Sequence, residues 1–170
     1  MHTSAATVNA GLFDTESALV DQFIALIGLD SSPWGSLQIT TEWDYRTGIT
    51  DVLARTTDGR IVAFEAKLSD WRRAAHQAYR NTTFATRAYV VLPSVVAERI
   101  RVHEQVFERY GVGLCSVNAD NIKILIEARE TKPLLPWLYE RAQTFFNAVS
   151  YDSTTAHQPR EGCNFDLQST

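Results

Sequence analysis

The chain has 170 residues, which is enough for one hydrophobic core and too few for two domains of ordinary size. Its apolar fraction of 45% and charged fraction of 21% are typical of globular proteins and exclude a chain that is disordered throughout. The formal net charge is −4, from 16 Lys and Arg against 20 Asp and Glu, so a general affinity for polyanions is not expected.

The sequence also argues against export and membrane insertion. No stretch approaches the roughly 18 apolar residues of a membrane span, and the N-terminus lacks the basic start and apolar run of an export signal. The two cysteines, Cys115 and Cys163, have no spacing that suggests a zinc site or a disulfide framework. We therefore expect a cytoplasmic protein that does not associate with membranes.

The first predicted element is a helix. Residues 1–12 are small and polar and are expected to fray. Apolar residues then recur at helical spacing after Asp14 and Thr15, either of which can cap the helix. Gly28 and Pro33 are expected to end it.

Three strands are predicted next, over residues 37–43, 49–55 and 60–68. Asp58-Gly59 is the signal of a tight hairpin turn, so the second strand is expected to fold back antiparallel onto the third. This pairing would bring Asp51 opposite the stretch from Glu65 to Lys67.

Helices and strands alternate in the second half of the chain. Ser69 or Asp70 is expected to cap a helix that runs to about Asn81. The remaining predicted elements are a buried strand over 87–92, a helix over 94–110 closed by Gly111, strands over 112–117 and 122–127, and a helix over 136–149. This order predicts an α/β fold with a mixed central sheet flanked by helices. One domain is expected over residues 13–150, followed by a mobile polar tail over 151–170.

Three charged residues stand out in the predicted hairpin. Side chains alternate across a strand, so Glu65 and Lys67 are expected to share one face of the third strand, near Asp51 of the second. Such charges are costly in an apolar strand unless they are paired, solvated or bound to a metal. Two carboxylates can hold Mg²⁺ or Mn²⁺, and a lysine can steady an attacking water and the charge that develops on a phosphate. A bound cation would also let an acidic protein approach DNA.

Asp51, thirteen intervening residues and then Glu65-Ala66-Lys67, set in this order of elements, resemble the PD-(D/E)XK nuclease superfamily. The resemblance covers most of the ordered chain and departs from the family name at Thr50, which stands in place of the proline. It implies a restriction-endonuclease-like fold, in which a helix, three strands, a helix and a strand form the core and a further helix and strands are added. It also implies a Mg²⁺-dependent nuclease that hydrolyses phosphodiester bonds in DNA.

Carried over position by position, the family pattern implies that Asp51 and Glu65 are metal ligands and that the backbone carbonyl of Ala66 is a third. Lys67 would position or activate the water. Glu16 in the first helix matches the extra acidic residue that many members have near the metal.

The helix after the motif carries the residues that are expected to assist catalysis or to contact nucleic acid. Gln77 resembles the polar helix residue of the family. The segment over 67–101 contains seven basic residues and two acidic ones, and it would form a phosphate-facing patch if it lined one surface. Within it, the residues predicted to bind DNA are Arg72, Arg73 and Arg80.

Other interpretations of these residues stay open. The three charged residues could form an ordinary ion pair on a solvated sheet face, worth about 0.2–1 kcal/mol. Glu16 could serve the dipole of its helix, and Glu42 is a competing acidic candidate. The chain could also be a noncatalytic accessory or toxin-neutralising module on the same fold, or a nuclease that acts on RNA. The aromatic residues of the last helix suggest a homodimer or a partner protein.

Overall fold

Six strands lie side by side in chain order in a computed structural model that describes residues 13–29 and 31–155. The strands are β1 (Leu37–Asp44), β2 (Ile49–Thr56), β3 (Ile61–Ala66), β4 (Arg87–Pro93), β5 (Gly113–Val117) and β6 (Ile122–Ile126). The helices are α1 (Glu16–Ile27), α2 (Trp71–Asn81), α3 (Ser94–Ile100), α4 (Glu104–Tyr110) and α5 (Pro136–Thr155). No described helix has the length and hydropathy needed to cross a membrane.

The sheet is mixed because two kinds of connection build it. Strands β1, β2 and β3 form an antiparallel meander, and β5 and β6 form a second antiparallel pair. Strand β4 is parallel to both of its neighbours, which requires the crossovers through α2 and through α3 and α4. The predicted α/β architecture, a mixed sheet flanked by helices, is therefore confirmed.

Helices α1 and α2 pack on opposite faces of this sheet. Helix α1 contributes to the cluster around Phe64 and Tyr89, whereas α2 packs over Val90 and its neighbours on β4. Helix α5 covers the remaining part of the α2 face, near the hairpin of β2 and β3. All six residues of β3 are buried between these layers. Any polar side chain on β3 therefore depends on partners from the flanking helices or the neighbouring strands.

Two predicted helix caps are confirmed at specific residues. The side chain of Thr15, and not that of Asp14, accepts a hydrogen bond from the Ala18 N–H at 3.1 Å. The side chain of Asp70, and not that of Ser69, accepts from the Arg73 N–H at 3.2 Å. Each satisfies a donor that the first helical turn leaves without a partner.

The hairpin between β2 and β3 has a longer turn than the Asp-Gly signal predicts. The Thr56 N–H donates to the Arg60 carbonyl at 3.0 Å, so three residues form the loop. Gly59, with φ of +83°, supplies the left-handed residue that such a loop requires. As a result Val52 pairs with Phe64, and the same register brings Asp51 level with Glu65.

Several boundaries differ from those predicted. Strand β3 ends at Ala66 and not at residue 68, so Lys67 follows the strand. The helix predicted over 94–110 is divided into α3 and α4 by a 3₁₀ turn at Arg101–His103, although Gly111 ends it as expected, with φ of +69°. Helix α5 extends to Thr155, past the predicted end at 149 and five residues into the segment predicted as a tail. The N-terminal residues 1–12 and the remaining tail, 156–170, lie outside the described residues.

Candidate active site

The candidate site lies where β2 and β3 stop pairing through their main chains. The ladder between the two strands ends at Val52 and Phe64. Beyond it, the Ala66 N–H donates to the carboxylate Oδ2 of Asp51 at 2.8 Å. The Thr50 hydroxyl faces the Phe64 carbonyl at a longer 3.4 Å. Side chains of β2 thus take over from the backbone in holding the end of β3.

Glu65 and Lys67 reach towards helices on opposite faces of the sheet. The carboxylate Oε1 of Glu65 accepts a hydrogen bond from Asn81 of α2 at 2.6 Å. The Lys67 ammonium lies 2.9 Å from the carboxylate of Glu16 in α1. The prediction that Glu65 and Lys67 share one strand face is therefore wrong, because β3 ends at Ala66 and strand alternation does not extend to Lys67.

Glu65 is the buried acidic residue of the site, with only 1% of its surface exposed. Burial raises the pKa of its carboxyl from an ordinary 4.5 to about 7, and the negative charge of Asp51 adds to the rise. Hydrogen bonds from Asn81 and Thr50 and the positive charge of Lys67 act in the opposite direction. The second oxygen of Glu65, Oε2, is buried and has no hydrogen-bond partner. A cation would supply the interaction that this oxygen lacks.

Lys67 is fixed at both its backbone and its ammonium group. Its N–H donates to the Val91 carbonyl of β4 at 3.1 Å. Its Nζ donates to Glu16 and, at 3.1 Å, to the carbonyl of Ala66. The Lys67 side chain is 13% exposed and that of Glu16 is 50% exposed, so this pair lies at the mouth of the site. The Ala66 carbonyl, which the family pattern implies as a metal ligand, is already bonded to Lys67.

An open cavity of about 380 Å³ adjoins Asp51 on the α1 side of the sheet. Its lining residues come from α1, β1 and β2 and are Glu16, Ser17, Val20, Asp21, Thr41, Glu42 and Asp51. Four of these carry carboxylates. Even so, no three His, Cys, Asp or Glu side chains in the described part of the chain are grouped closely enough to hold a metal ion. Metal binding here would rest on Asp51 and Glu65 with additional oxygen ligands.

The exposed face of α2 carries the arginines predicted to contact DNA. The Arg72 guanidinium lies over the ring of Trp71, 4.4 Å from its centroid. Arg80 donates to a carbonyl of the turn between β1 and β2 at 2.8 Å. Arg73 is exposed, and Gln77 is partly buried, with an Oε1 that has no hydrogen-bond partner. This face is positively charged and lies on the same side of the sheet as Glu65.

The wider basic segment over 67–101 does not form one surface. Arg87 lies at the start of β4, level with Val62, whereas Glu65 lies towards the other end of β3. The Arg87 guanidinium forms ion pairs with Glu127 at 2.9 Å and Glu130 at 3.5 Å. Arg87 therefore does not belong to the basic patch that the arginines of α2 form near the candidate site.

The sequence did not predict that Asn81 and Thr50 belong to the site. Asn81 is completely buried and donates to Glu65 and, at 3.1 Å, to the hydroxyl of Thr50, which is also completely buried. The buried stripe of α2 consists of Trp71, Ala74, Ala75, Ala78 and Asn81. The signal was present, since a polar residue that continues an apolar helical stripe needs a buried partner.

Comparison with known proteins shows the fold. No protein-family model and no curated protein matches the sequence. The structure is similar to the SPO1766 protein of unknown function from Silicibacter pomeroyi, with 16% identity, a TM-score of 0.60 and coverage of 85% of this chain and 92% of that chain. A repair endonuclease from Pyrococcus abyssi has 20% identity and a TM-score of 0.45 over 63% of this chain and 49% of that chain. EndoMS in complex with dsDNA has 19% identity and a TM-score of 0.41 over 71% of this chain and 50% of that chain.

Proposed function

We propose that the protein is a metal-dependent nuclease that hydrolyses phosphodiester bonds in DNA. The observation that carries the proposal is the Glu65 carboxyl, which is buried beside a second carboxylate and keeps one oxygen without a hydrogen-bond partner. A structural carboxylate in a buried strand would be expected to have both oxygens satisfied. One unsatisfied oxygen, in a carboxylate that interacts with the charges of both Asp51 and Lys67, fits a site that binds a cation.

Asp51 and Glu65 are the residues that would hold Mg²⁺ or Mn²⁺. When bound, the ion supplies positive charge that can neutralise a phosphate oxygen. Asp51 also fixes the end of β3 through the Ala66 N–H, so the two carboxylates belong to one rigid unit. The hydrogen bond from Asn81 holds the other oxygen of Glu65 and orients the carboxylate.

Lys67 would orient the attacking water and stabilise the negative charge that develops on the phosphate. Its position depends on Glu16, whose carboxylate lies 2.9 Å from the ammonium group. Glu16 therefore assists by orienting the lysine. Gln77 would assist from α2, where its amide oxygen is buried and unpartnered.

The arginines of α2 would contact the DNA backbone beside the site. Arg72, Arg73 and Arg80 are exposed on this helix, whereas the cavity on the α1 side carries four carboxylates and lies on the same side of the sheet as the pair of Lys67 and Glu16. Phosphates are attracted to the arginines and repelled by the carboxylates, so the phosphate to be cleaved would reach Lys67 only when a cation is bound.

The test is a cleavage assay with plasmid DNA, linear duplex DNA, single-stranded DNA and RNA, each with Mg²⁺, with Mn²⁺ or with EDTA. Asp51→Ala and Lys67→Ala should each lower the rate by about 100-fold or more. Lys123→Ala, at an exposed position of β6, is the matched control and should stay within about twofold of wild type. Equal cutting by wild type, Asp51→Ala and Lys67→Ala would refute the proposal.

A second candidate is a noncatalytic binding module on the same fold. It is favoured by the hydrogen bonds that already occupy the Lys67 ammonium and by the lack of a three-residue ligand group among the described residues. Titration calorimetry separates the two candidates. A nuclease site should release or absorb heat with Mn²⁺, and Glu65→Gln should abolish that heat. A binding module should give no such signal.

A further inference from the structure

Asn81 is buried without any exposed surface at the last position of α2, directly beside the candidate site. Its backbone carbonyl accepts hydrogen bonds from Phe84 at 3.1 Å and Ala85 at 2.8 Å. These bonds hold the residue in a tight turn between α2 and β4. The backbone of Asn81 is therefore fixed by the fold, independently of anything bound at the site.

The amide of Asn81 has a defined orientation because both of its neighbours accept hydrogen bonds. Its Nδ2 lies 2.6 Å from Glu65 Oε1 and 3.1 Å from Thr50 Oγ1. An ionised Glu65 can only accept, and the Thr50 hydroxyl oxygen can accept a hydrogen bond while its own hydrogen is donated elsewhere. The opposite orientation would bring the amide oxygen against a carboxylate oxygen, which is repulsive. The NH₂ group therefore faces Glu65.

This contact distinguishes the two oxygens of Glu65. Oε1 is held by Asn81, whereas Oε2 is buried and has no hydrogen-bond partner. Without the amide, the carboxylate could rotate about its terminal torsion and neither oxygen would be fixed.

We infer that Asn81 is a positioning residue that anchors Glu65 Oε1 and thereby presents Oε2 to a divalent cation. This inference rests on the proposed function, because it assigns Glu65 as a ligand. Groups that orient metal ligands typically change metal affinity by about 10- to 100-fold when they are removed.

The matched control is the adjacent residue, Thr82. Its hydroxyl donates to the Tyr79 carbonyl at 2.7 Å, so it stabilises the same helix end without contacting Glu65. Thr82→Val should weaken the helix end and leave metal binding unchanged. Asn81→Ala should weaken the helix end and metal binding together. A purely structural role for Asn81 would make the two variants behave alike.

The experiment is a Mn²⁺ titration by calorimetry of the full chain and the variants, with urea unfolding in EDTA and DNA cleavage measured in parallel. Asn81→Ala should raise the Kd for Mn²⁺ by about tenfold or more and lower kcat, with little change in the KM for DNA. Thr82→Val should stay within about twofold of wild type in Kd. Asn81→Ser retains a hydroxyl donor in a smaller side chain and serves if Asn81→Ala does not fold. Its Kd should lie between those of wild type and Asn81→Ala.

Failure of the inference and failure of the proposed function give different results. If wild type binds Mn²⁺ and cuts DNA while Asn81→Ala and Asn81→Ser bind Mn²⁺ as wild type does, Asn81 has no positioning role and the nuclease assignment stands. If wild type binds Mn²⁺ without cutting, the titration alone decides the role of Asn81. If wild type neither binds Mn²⁺ nor cuts, both the proposed function and this inference are overturned.

Discussion

Glu65→Gln should make the protein more stable at alkaline pH while removing the proposed metal ligand. Glu65 is buried, and burial together with Asp51 raises its pKa from 4.5 to about 7. The folded state therefore binds the proton more tightly than the unfolded state. The stability that this group contributes is fully present below about pH 4.5 and is lost as the pH rises through about 7.

The magnitude follows from the difference between the two pKa values. Each pKa unit corresponds to about 1.36 kcal/mol, so ionisation of Glu65 costs the folded state about 3 kcal/mol. Glutamine has nearly the same shape and cannot ionise, and its amide oxygen can still accept from Asn81. Near pH 5 the two proteins should have similar free energies of unfolding. Near pH 8 the variant should be more stable by up to about 3 kcal/mol.

The assay is urea unfolding in EDTA at about pH 5 and about pH 8, followed by tryptophan fluorescence. Glu98→Gln removes the same charge from an exposed position of α3 and is the control for net charge. It should show no comparable dependence on pH. In a parallel measurement without EDTA, saturating Mn²⁺ should stabilise wild type, because the ion binds only the folded protein, and should reduce the difference in unfolding free energy between Glu65→Gln and wild type at alkaline pH. An equal difference between Glu65→Gln and wild type at both pH values would refute the reasoning.

Three further substitutions test how the fold supports the site. Glu16→Gln breaks a partly exposed ion pair with Lys67, so the free energy of unfolding should change by no more than about 1 kcal/mol. The rate of DNA cleavage should fall about tenfold or more, and an unchanged rate would contradict an orienting role for Glu16. Gly113→Ala would make the new Cβ overlap with the Tyr89 ring, and urea unfolding should show a loss of about 1–3 kcal/mol. Wild-type stability would mean that the ring moves freely. Asp70→Ala removes the cap of α2 and should cost about 1 kcal/mol in the same measurement, and no loss would mean that the cap is redundant.

The elements that could be predicted from the sequence are those with local signals. The caps at Thr15 and Asp70 lie within three residues of the groups that they satisfy, and Gly111 ends its helix with a positive φ. The order of helices and strands follows from their different apolar periods and from the Asp-Gly turn. Each of these signals depends on residues that are close together in the sequence, so it does not require knowledge of how the chain folds in three dimensions.

The features that could not be predicted depend on residues that are distant in the chain. The hydrogen bond between Asn81 and Glu65 spans sixteen residues, and the pair of Lys67 and Glu16 spans fifty-one. Nothing in either local sequence indicates which face of the sheet each side chain of the motif would reach. That outcome depends on β3 ending at Ala66, where the antiparallel ladder to β2 has already stopped.

The position of Glu65 on β3 favours a chemical role over a structural one. The other five residues of the strand are apolar and all six are buried, so an apolar residue at this position would fit the same layers. The carboxylate instead destabilises the strand at neutral and alkaline pH, and Asn81 satisfies only one of its two oxygens. A bound cation would offset both the energetic cost of burying the Glu65 charge and the repulsion between Glu65 and Asp51. The destabilisation and the proposed affinity for metal therefore have the same physical origin, namely a negative charge that the folded chain leaves incompletely compensated.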